Sequence, residues 1–198
     1  MAGFPPPDAA SHLREETLGE DELLRGRFLH AFRDRVRLPD GREATREYVR
    51  HPGAVAIVAQ TDEGRYVMER QWRYPLGRAF IEFPAGKLDP GEDLLVCARR
   101  ELQEETGYLA REWAYAGPMH PVIAYSTEVI HLFFARGLQA GERRLDEGEF
   151  LDVFTATLDE LLSASREGRI TDAKTLSGLL WAQNVAAGHW PLAWQALA

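Results

Sequence analysis

The stretch Gly86-Lys-Leu-Asp-Pro-Gly-Glu92-Asp-Leu-Leu-Val-Cys-Ala-Arg99-Arg100-Glu101-Leu102-Gln103-Glu104-Glu105-Thr106-Gly107 decides how the chain is read. From Glu92 to Thr106 the apolar Leu94, Leu95, Ala98 and Leu102 recur near helical spacing, and Gly107 stands where a C′ glycine stops a helix. On a helix turning about 100° per residue, Glu101, Glu104 and Glu105 crowd one face. Like charges at those spacings repel. Arg100 can pair with Glu104 one turn on, and the remaining charge calls for a cation. Hard oxygen ligands at this density suit Mg²⁺ or Mn²⁺ rather than zinc, and magnesium is held by a few carboxylates plus substrate phosphates. The helix therefore fits a diphosphate-cleaving site; the plainer alternative is a solvated acidic face.

Working outward, Ala79-Phe-Ile-Glu-Phe-Pro84 reads as a short strand ending in Ala85-Gly86. Ala54 to Gln60 is a Val- and Ile-rich run that reads as a buried strand, and Arg65 to Gln71 returns from the Asp62-Glu63-Gly64 turn as its antiparallel partner. Phe28 to Val36 and Ala44 to Val49 read as two hairpin arms about Pro39-Asp40-Gly41, where Pro presets φ and Gly tolerates φ > 0. Trp113 to Tyr115, Glu128 to Ala135 and Phe150 to Thr155 read as further strands, the last preceded by the charged loop Gly141 to Glu149. Helices close the chain, over Thr157 to Arg166 and from Thr171 or Asp172 to about Ala187. The division is a Pro-rich disordered leader over 1–16, a β-rich appendage over 17–51 and a main domain over 52–198.

Composition narrows the function classes. At 198 residues the chain buries enough surface to fold without disulfides or structural metal, and the single Cys97 agrees. Its formal charge of −8 disfavours nucleic-acid polymers, whose binders neutralise phosphates with surplus Lys and Arg. No apolar run approaches the roughly 20 residues of a spanning helix, and no signal peptide is visible, so the protein is expected in the cytoplasm without membrane contact.

Gly86, Glu92, Arg100-Glu101, Leu102, Glu104-Glu105 and Gly107 together resemble the Nudix box, with Tyr108 a mild departure where the pattern asks for an aliphatic residue. Val49-Arg-His-Pro-Gly53, Arg70-Gln-Trp-Arg-Tyr-Pro75 and Ile81-Glu-Phe-Pro-Ala-Gly86 are similar to the ADP-ribose pyrophosphatase-like branch, a likeness covering about residues 20 to 187. The resemblance implies an α/β fold: a Nudix-type α/β/α sandwich around a mixed β-sheet, with the N-terminal appendage exchanged between subunits of a homodimer. It also implies that Glu101 and Glu105 bind divalent metal, Mg²⁺ with Mn²⁺ as substitute, with Glu104 and the Ala85 carbonyl completing the shell. Gly86, Glu92 and Arg100 then brace loop and helix. The implied substrate-binding residues are Phe28, stacking on adenine or else filling the hairpin core, Arg46 from across the dimer, Arg73, Glu82 and Glu128.

For the general base, the resemblance points to Glu149 first and Glu147 second, against a merely solvated acidic loop. The implied reaction is hydrolysis of ADP-ribose or a related nucleoside diphosphate sugar. Another nucleotide sugar, such as GDP-mannose or ADP-glucose, stays open because Ile123 stands where the branch carries a proline marker, with Pro121 two residues earlier. A ligand-sensing regulator is the third alternative, and the intact Glu101, Glu104 and Glu105 speak against it. Cys97 reads as a small buried residue, and Trp181, Trp190 and Trp194 as packing groups.

Overall fold

A computed structural model describes residues 7–196. Residues 1–6 of the expected leader lie outside the described residues; from Pro7 the leader expectation gives way to a 3₁₀ helix, Pro7–Leu13, and then to a strand. In chain order the elements are β1 (Glu16–Arg25), β2 (His30–Arg37), β3 (Glu43–Arg50), β4 (Ala54–Ala59), β5 (Tyr66–Arg73), β6 (Arg78–Glu82), β7 (Ala85–Lys87), α1 (Leu94–Thr106), β8 (Tyr108–Met119), β9 (Ile130–Ala140), β10 (Leu151–Ala156), α2 (Leu158–Arg166), α3 (Ala173–Ala186) and β11 (Gln195–Ala196). The described residues form two compact units, the first comprising 7–51 and 122–127, the second 52–121 and 128–196.

In the first unit β1, β2 and β3 make an antiparallel sheet in that order. Phe32, Asp34 and Val36 alternate inward along β2, the period of two that a half-buried strand requires. Phe32 stacks on Tyr48 with ring centroids 5.7 Å apart, and the Arg50 guanidinium lies 3.8 Å over the Phe32 ring. The expected Pro39-Asp40-Gly41 turn closes through Gly41 N–H to Leu38 O at 2.9 Å. Strand β1 was not foreseen; it is polar and is tied to its neighbours by Arg37–Glu16 at 2.9 Å and by Arg50–Glu20. Phe28, expected on a hairpin arm, lies instead in the β1–β2 turn, closed by Gly26 N–H to Leu29 O at 2.8 Å. Residues 122–127 run beside β3, with Val49 N–H donating to Tyr125 O at 2.9 Å and Thr127 N–H to Val49 O at 3.0 Å.

The second unit is layered. Strand β4 is buried along its whole length and lies between β7, antiparallel, and β9, parallel, in a mixed sheet ordered β11-β8-β9-β4-β7. Ala54, Ala56 and Val58 face one core with Phe83, Leu161, Leu179 and Ala182, and Val55, Ile57 and Ala59 face another with Cys97, Ala98 and Leu102. Helices thus cover both faces, the α/β/α sandwich expected. Such double burial explains the unbroken apolar run.

The expected β4–β5 hairpin is corrected. The two strands share one bridge, Gln60 with Tyr66, and then part; β5 sits centrally in a second sheet ordered β10-β5-β6. After Met68 the sequence turns polar, and Arg70 and Gln71 find partners in Asp152 and Glu149 rather than in the apolar interior beside β4. Helix α1 starts at Leu94 rather than Glu92, because the Asp93 carboxylate caps the Leu95 and Val96 N–H groups at 2.9 and 3.2 Å. It stops at Gly107, φ +75°, as read. Strand β8 is longer than read, and so is β9 at its far end, because the two pair with each other over nearly their whole length.

Candidate active site

Strand β7 and helix α1 bring the motif together. A Cβ on Gly86 would fall 1.8 Å from Glu101 Cδ, so the bare backbone there is what admits the Glu101 carboxylate. Glu105, 4% exposed, turns inward on the same helix, and its Oε2 accepts from the Ala85 N–H at 3.0 Å. Arg100 is the brace. It donates to both Glu92 oxygens at 2.9 Å, to Glu101 at 2.8 Å, to Glu104 at 3.0 Å and to the Lys87 carbonyl at 3.2 Å. These bonds hold the Glu92 carboxyl down to about 2. Burial does the reverse to Glu101, pushed up to about 7, and to Glu105, raised well above the usual carboxylate range with Glu69, Glu101 and Glu149 adding repulsion.

Glu69 was missed in the sequence. It is 2% exposed, at the centre of the second sheet opposite Glu82 and Val153, and its Oε1 has no hydrogen-bond partner. Burial pushes its carboxyl up to about 7, and Glu105 lies within hydrogen-bonding reach. The signal for it was a lone acid straight after the apolar Val67-Met68. Glu149 also joins the acids: its charge acts on Glu69, Glu101 and Glu105, and its Oε1 accepts from Gln71 Nε2 at 3.1 Å. Glu147 is exposed at the neighbouring turn. The loop bearing both is pinned to the C-terminal end of α1. Arg143 Nε donates to Glu105 O at 2.6 Å and Arg144 N–H to Glu104 O at 3.1 Å, satisfying carbonyls a helix end leaves open. Neither arginine was singled out in the sequence.

A second network stands beside the acids. Arg73 forks onto Glu82 with bonds of 2.7 and 2.6 Å, and Glu82, 3% exposed, also holds the buried Lys174. Lys174 donates to Asp172 at 3.0 Å, and Asp172 caps α3 through Thr175 N–H and Oγ1. Opposite charge lowers the Glu82 carboxyl despite burial and raises Arg73. Glu128 lies half-buried just before β9. Phe28 and Arg46 belong to the first unit: Phe28, 47% exposed, sets its ring edge-on to His51 at 5.6 Å, and Arg46 forks onto Glu15. Ile123 is 84% exposed. The Cys97 thiol is buried and pushed up to about 12, which suits a packing group and not a nucleophile.

Among the described residues no three His, Cys, Asp or Glu side chains stand as a closed metal cage, since Arg100 draws Glu101 and Glu104 and the Ala85 amide draws Glu105. The donor set nevertheless fits a hard divalent cation: oxygen ligands only, a glycine that leaves room for Glu101, and a buried carboxylate oxygen without a donor.

The NUDIX domain model matches residues 49–179, and the model of the nucleoside diphosphate sugar hydrolase N-terminal domain matches residues 15–49. The chain is 44% identical over 173 residues to a methanol dehydrogenase activator of Bacillus methanolicus, covering 85% of this chain and 92% of that one. It is 39% identical over 173 residues to an ADP-ribose pyrophosphatase of Bacillus subtilis strain 168, covering 86% and 94%. An ADP-ribose pyrophosphatase of Mycobacterium tuberculosis H37Rv is 35% identical over 176 residues, covering 87% and 85%. In fold, the chain matches a crystal structure of an ADP compounds hydrolase with a TM-score of 0.79 at 21% identity, covering 89% of this chain and 97% of the other.

Proposed function

The chain belongs to the Nudix hydrolase family, and on that premise we propose that it cleaves the diphosphate bond of ADP-ribose or a related nucleoside diphosphate sugar, releasing a nucleoside monophosphate and a sugar phosphate. The observation that carries this reading is the Arg100-braced set of carboxylates against Gly86 and Ala85. Pyrophosphatase relatives that match most of the chain support it.

In this reading Glu101, Glu104, Glu105 and the Ala85 carbonyl hold divalent metal, Mg²⁺ with Mn²⁺ as substitute. When bound, the ion neutralises charge on the diphosphate oxygens. Glu149 takes the proton from the attacking water as a P–O bond of the bridge breaks, the Gln71 amide fixing its carboxylate. Glu147, exposed at the turn, is the weaker candidate. Arg73 offers a guanidinium to the diphosphate, oriented by Glu82, whose charge Lys174 balances from behind. Glu128 lines the substrate pocket. Phe28 stacks on the base, and Arg46 reaches the substrate of a second subunit in a homodimer that exchanges the appendage. The protein works in the cytoplasm; its one cysteine is buried and free, and among the described residues no helix is long and apolar enough to cross a membrane.

Ile123 favours a second reading of the substrate, since an exposed isoleucine stands where the ADP-ribose branch carries proline. Product release from a panel of ADP-ribose, ADP-glucose and GDP-mannose with Mg²⁺ decides between them. ADP-ribose turned over with the highest kcat/KM supports the first, and preference for GDP-mannose the second.

A further inference from the structure

Glu69 is not part of the Nudix motif, yet it occupies the most demanding position in the second sheet. Strand β5 lies between β10 and β6, so the Glu69 backbone is paired on both sides, with Val153 and Glu82, and its side chain is 2% exposed. A carboxylate kept in such a place for packing alone is expected to have donors for both oxygens. Here Oε1 has none. Burial and the charges of Glu149 and Glu82 oppose its ionised form, while a hydrogen bond with Glu105 and the charge of Lys174 favour it. Lys174, whose charge bears on Glu69, makes its hydrogen bonds to Glu82 and Asp172 instead. Two buried carboxylates within hydrogen-bonding reach, one of them with an unpartnered oxygen, call for a shared proton or a cation between them, and the cation class that suits oxygen ligands is a hard divalent ion.

We propose that Glu69 is an additional cation-binding carboxylate of this protein, facing Glu105 and holding a divalent ion jointly with it. The inference rests on the reading that Glu105 binds metal, and it adds a ligand from the sheet to those of the helix and its loop. The competing account is a single proton shared between Glu69 and Glu105, with no part in metal binding.

The test uses the full chain stripped with EDTA and titrated with Mn²⁺ alone, free Mn²⁺ being followed by electron paramagnetic resonance without substrate. Glu69→Gln is expected to bind Mn²⁺ about 10-fold or more weakly than wild type, while its melting temperature in EDTA stays equal or rises. Glu69→Asp keeps the charge and is expected to recover part of the affinity, which also serves should the Gln variant fold poorly. Wild-type Mn²⁺ affinity in Glu69→Gln, or an Asp variant that binds no better than Gln, overturns the proposal in favour of the shared proton. Glu105→Gln separates the two levels: if it weakens Mn²⁺ binding and Glu69→Gln does not, only the added ligand falls, whereas unchanged binding in Glu105→Gln removes the parent reading too.

Discussion

The Glu101 carboxylate fills the space that a side chain at Gly86 would need, its Cδ lying 1.8 Å from the position of a Cβ there. The glycine and the glutamate are therefore one device, a close approach of β7 to α1 with a carboxylate sealed between them. Gly86→Ala forces Glu101 out. Activity with Mg²⁺ is expected to fall at least about 100-fold, while stability drops by about 1–3 kcal/mol, the usual cost of overpacking. Steady-state kinetics alongside urea unfolding check this; near-wild-type turnover in the alanine variant contradicts it.

Arg100→Lys removes a planar fork that meets Glu92, Glu101, Glu104 and the Lys87 carbonyl together. An ammonium cannot reproduce that geometry. Loss of about 2 kcal/mol in stability and most of the activity is expected, read by denaturant unfolding and kcat. A lysine variant matching wild type in both would mean that the brace is incidental.

The same pair sets an acid limb. Glu92 is held at about 2 against an ordinary 4.5, so its contribution is fully present above 4.5 and is lost as pH falls through about 2. Glu92→Gln should flatten the stability profile across that window. Melting temperatures between pH 2 and 5 for both proteins measure it, and parallel profiles would show that the pair contributes nothing.

For the metal-free protein the sign reverses on the other carboxyls. Glu69 and Glu101 are pushed up to about 7, and Glu105 is also raised, so the folded state keeps protons the unfolded chain has already lost. Stability in EDTA should therefore decline as pH climbs from about 4.5 through 7. Mg²⁺ should raise the melting temperature more at pH 8 than at pH 5.5, because binding must displace those protons. An equal metal effect at both values speaks against these acids as the ligands.

Much of this was legible in the sequence, and the exceptions share a cause. Helix α1 announces itself locally, through the apolar spacing around Ala98 and Leu102 and the stop at Gly107. The run Ala54-Val-Ala-Ile-Val-Ala59 shows that β4 is buried, but its partners β7 and β9 are distant in sequence, and the adjacent turn suggested β5 instead. Strand β1 was illegible because cross-strand ion pairs to Glu16 and Glu20, not an apolar face, accompany its pairing. At the site, the motif identified the acids on α1. Glu69 and Lys174 escaped because a single charged residue reads as surface until the fold brings Glu105 or Glu82 against it.

Arg143 ties the loop of Glu149 to the end of α1 and also donates to Leu151 O at 2.8 Å. Arg143→Ala should loosen the loop of Glu149, the proposed base, while the side chains of Glu101, Glu104 and Glu105 stay held by Arg100 and the Ala85 amide: kcat down about 10-fold, KM and Mn²⁺ affinity nearly unchanged. A change confined to KM would assign the loop to substrate binding.

We propose that the acids of α1 support metal-dependent hydrolysis of a nucleoside diphosphate sugar. This is tested most directly by incubating the purified chain with ADP-ribose and Mg²⁺ and quantifying AMP and ribose 5-phosphate, for wild type and Glu105→Gln side by side. Stoichiometric release of both products by wild type is expected, abolished by EDTA, with a fall of at least about 100-fold in the variant. Equal turnover by the two proteins, or turnover by wild type that survives EDTA, would contradict it.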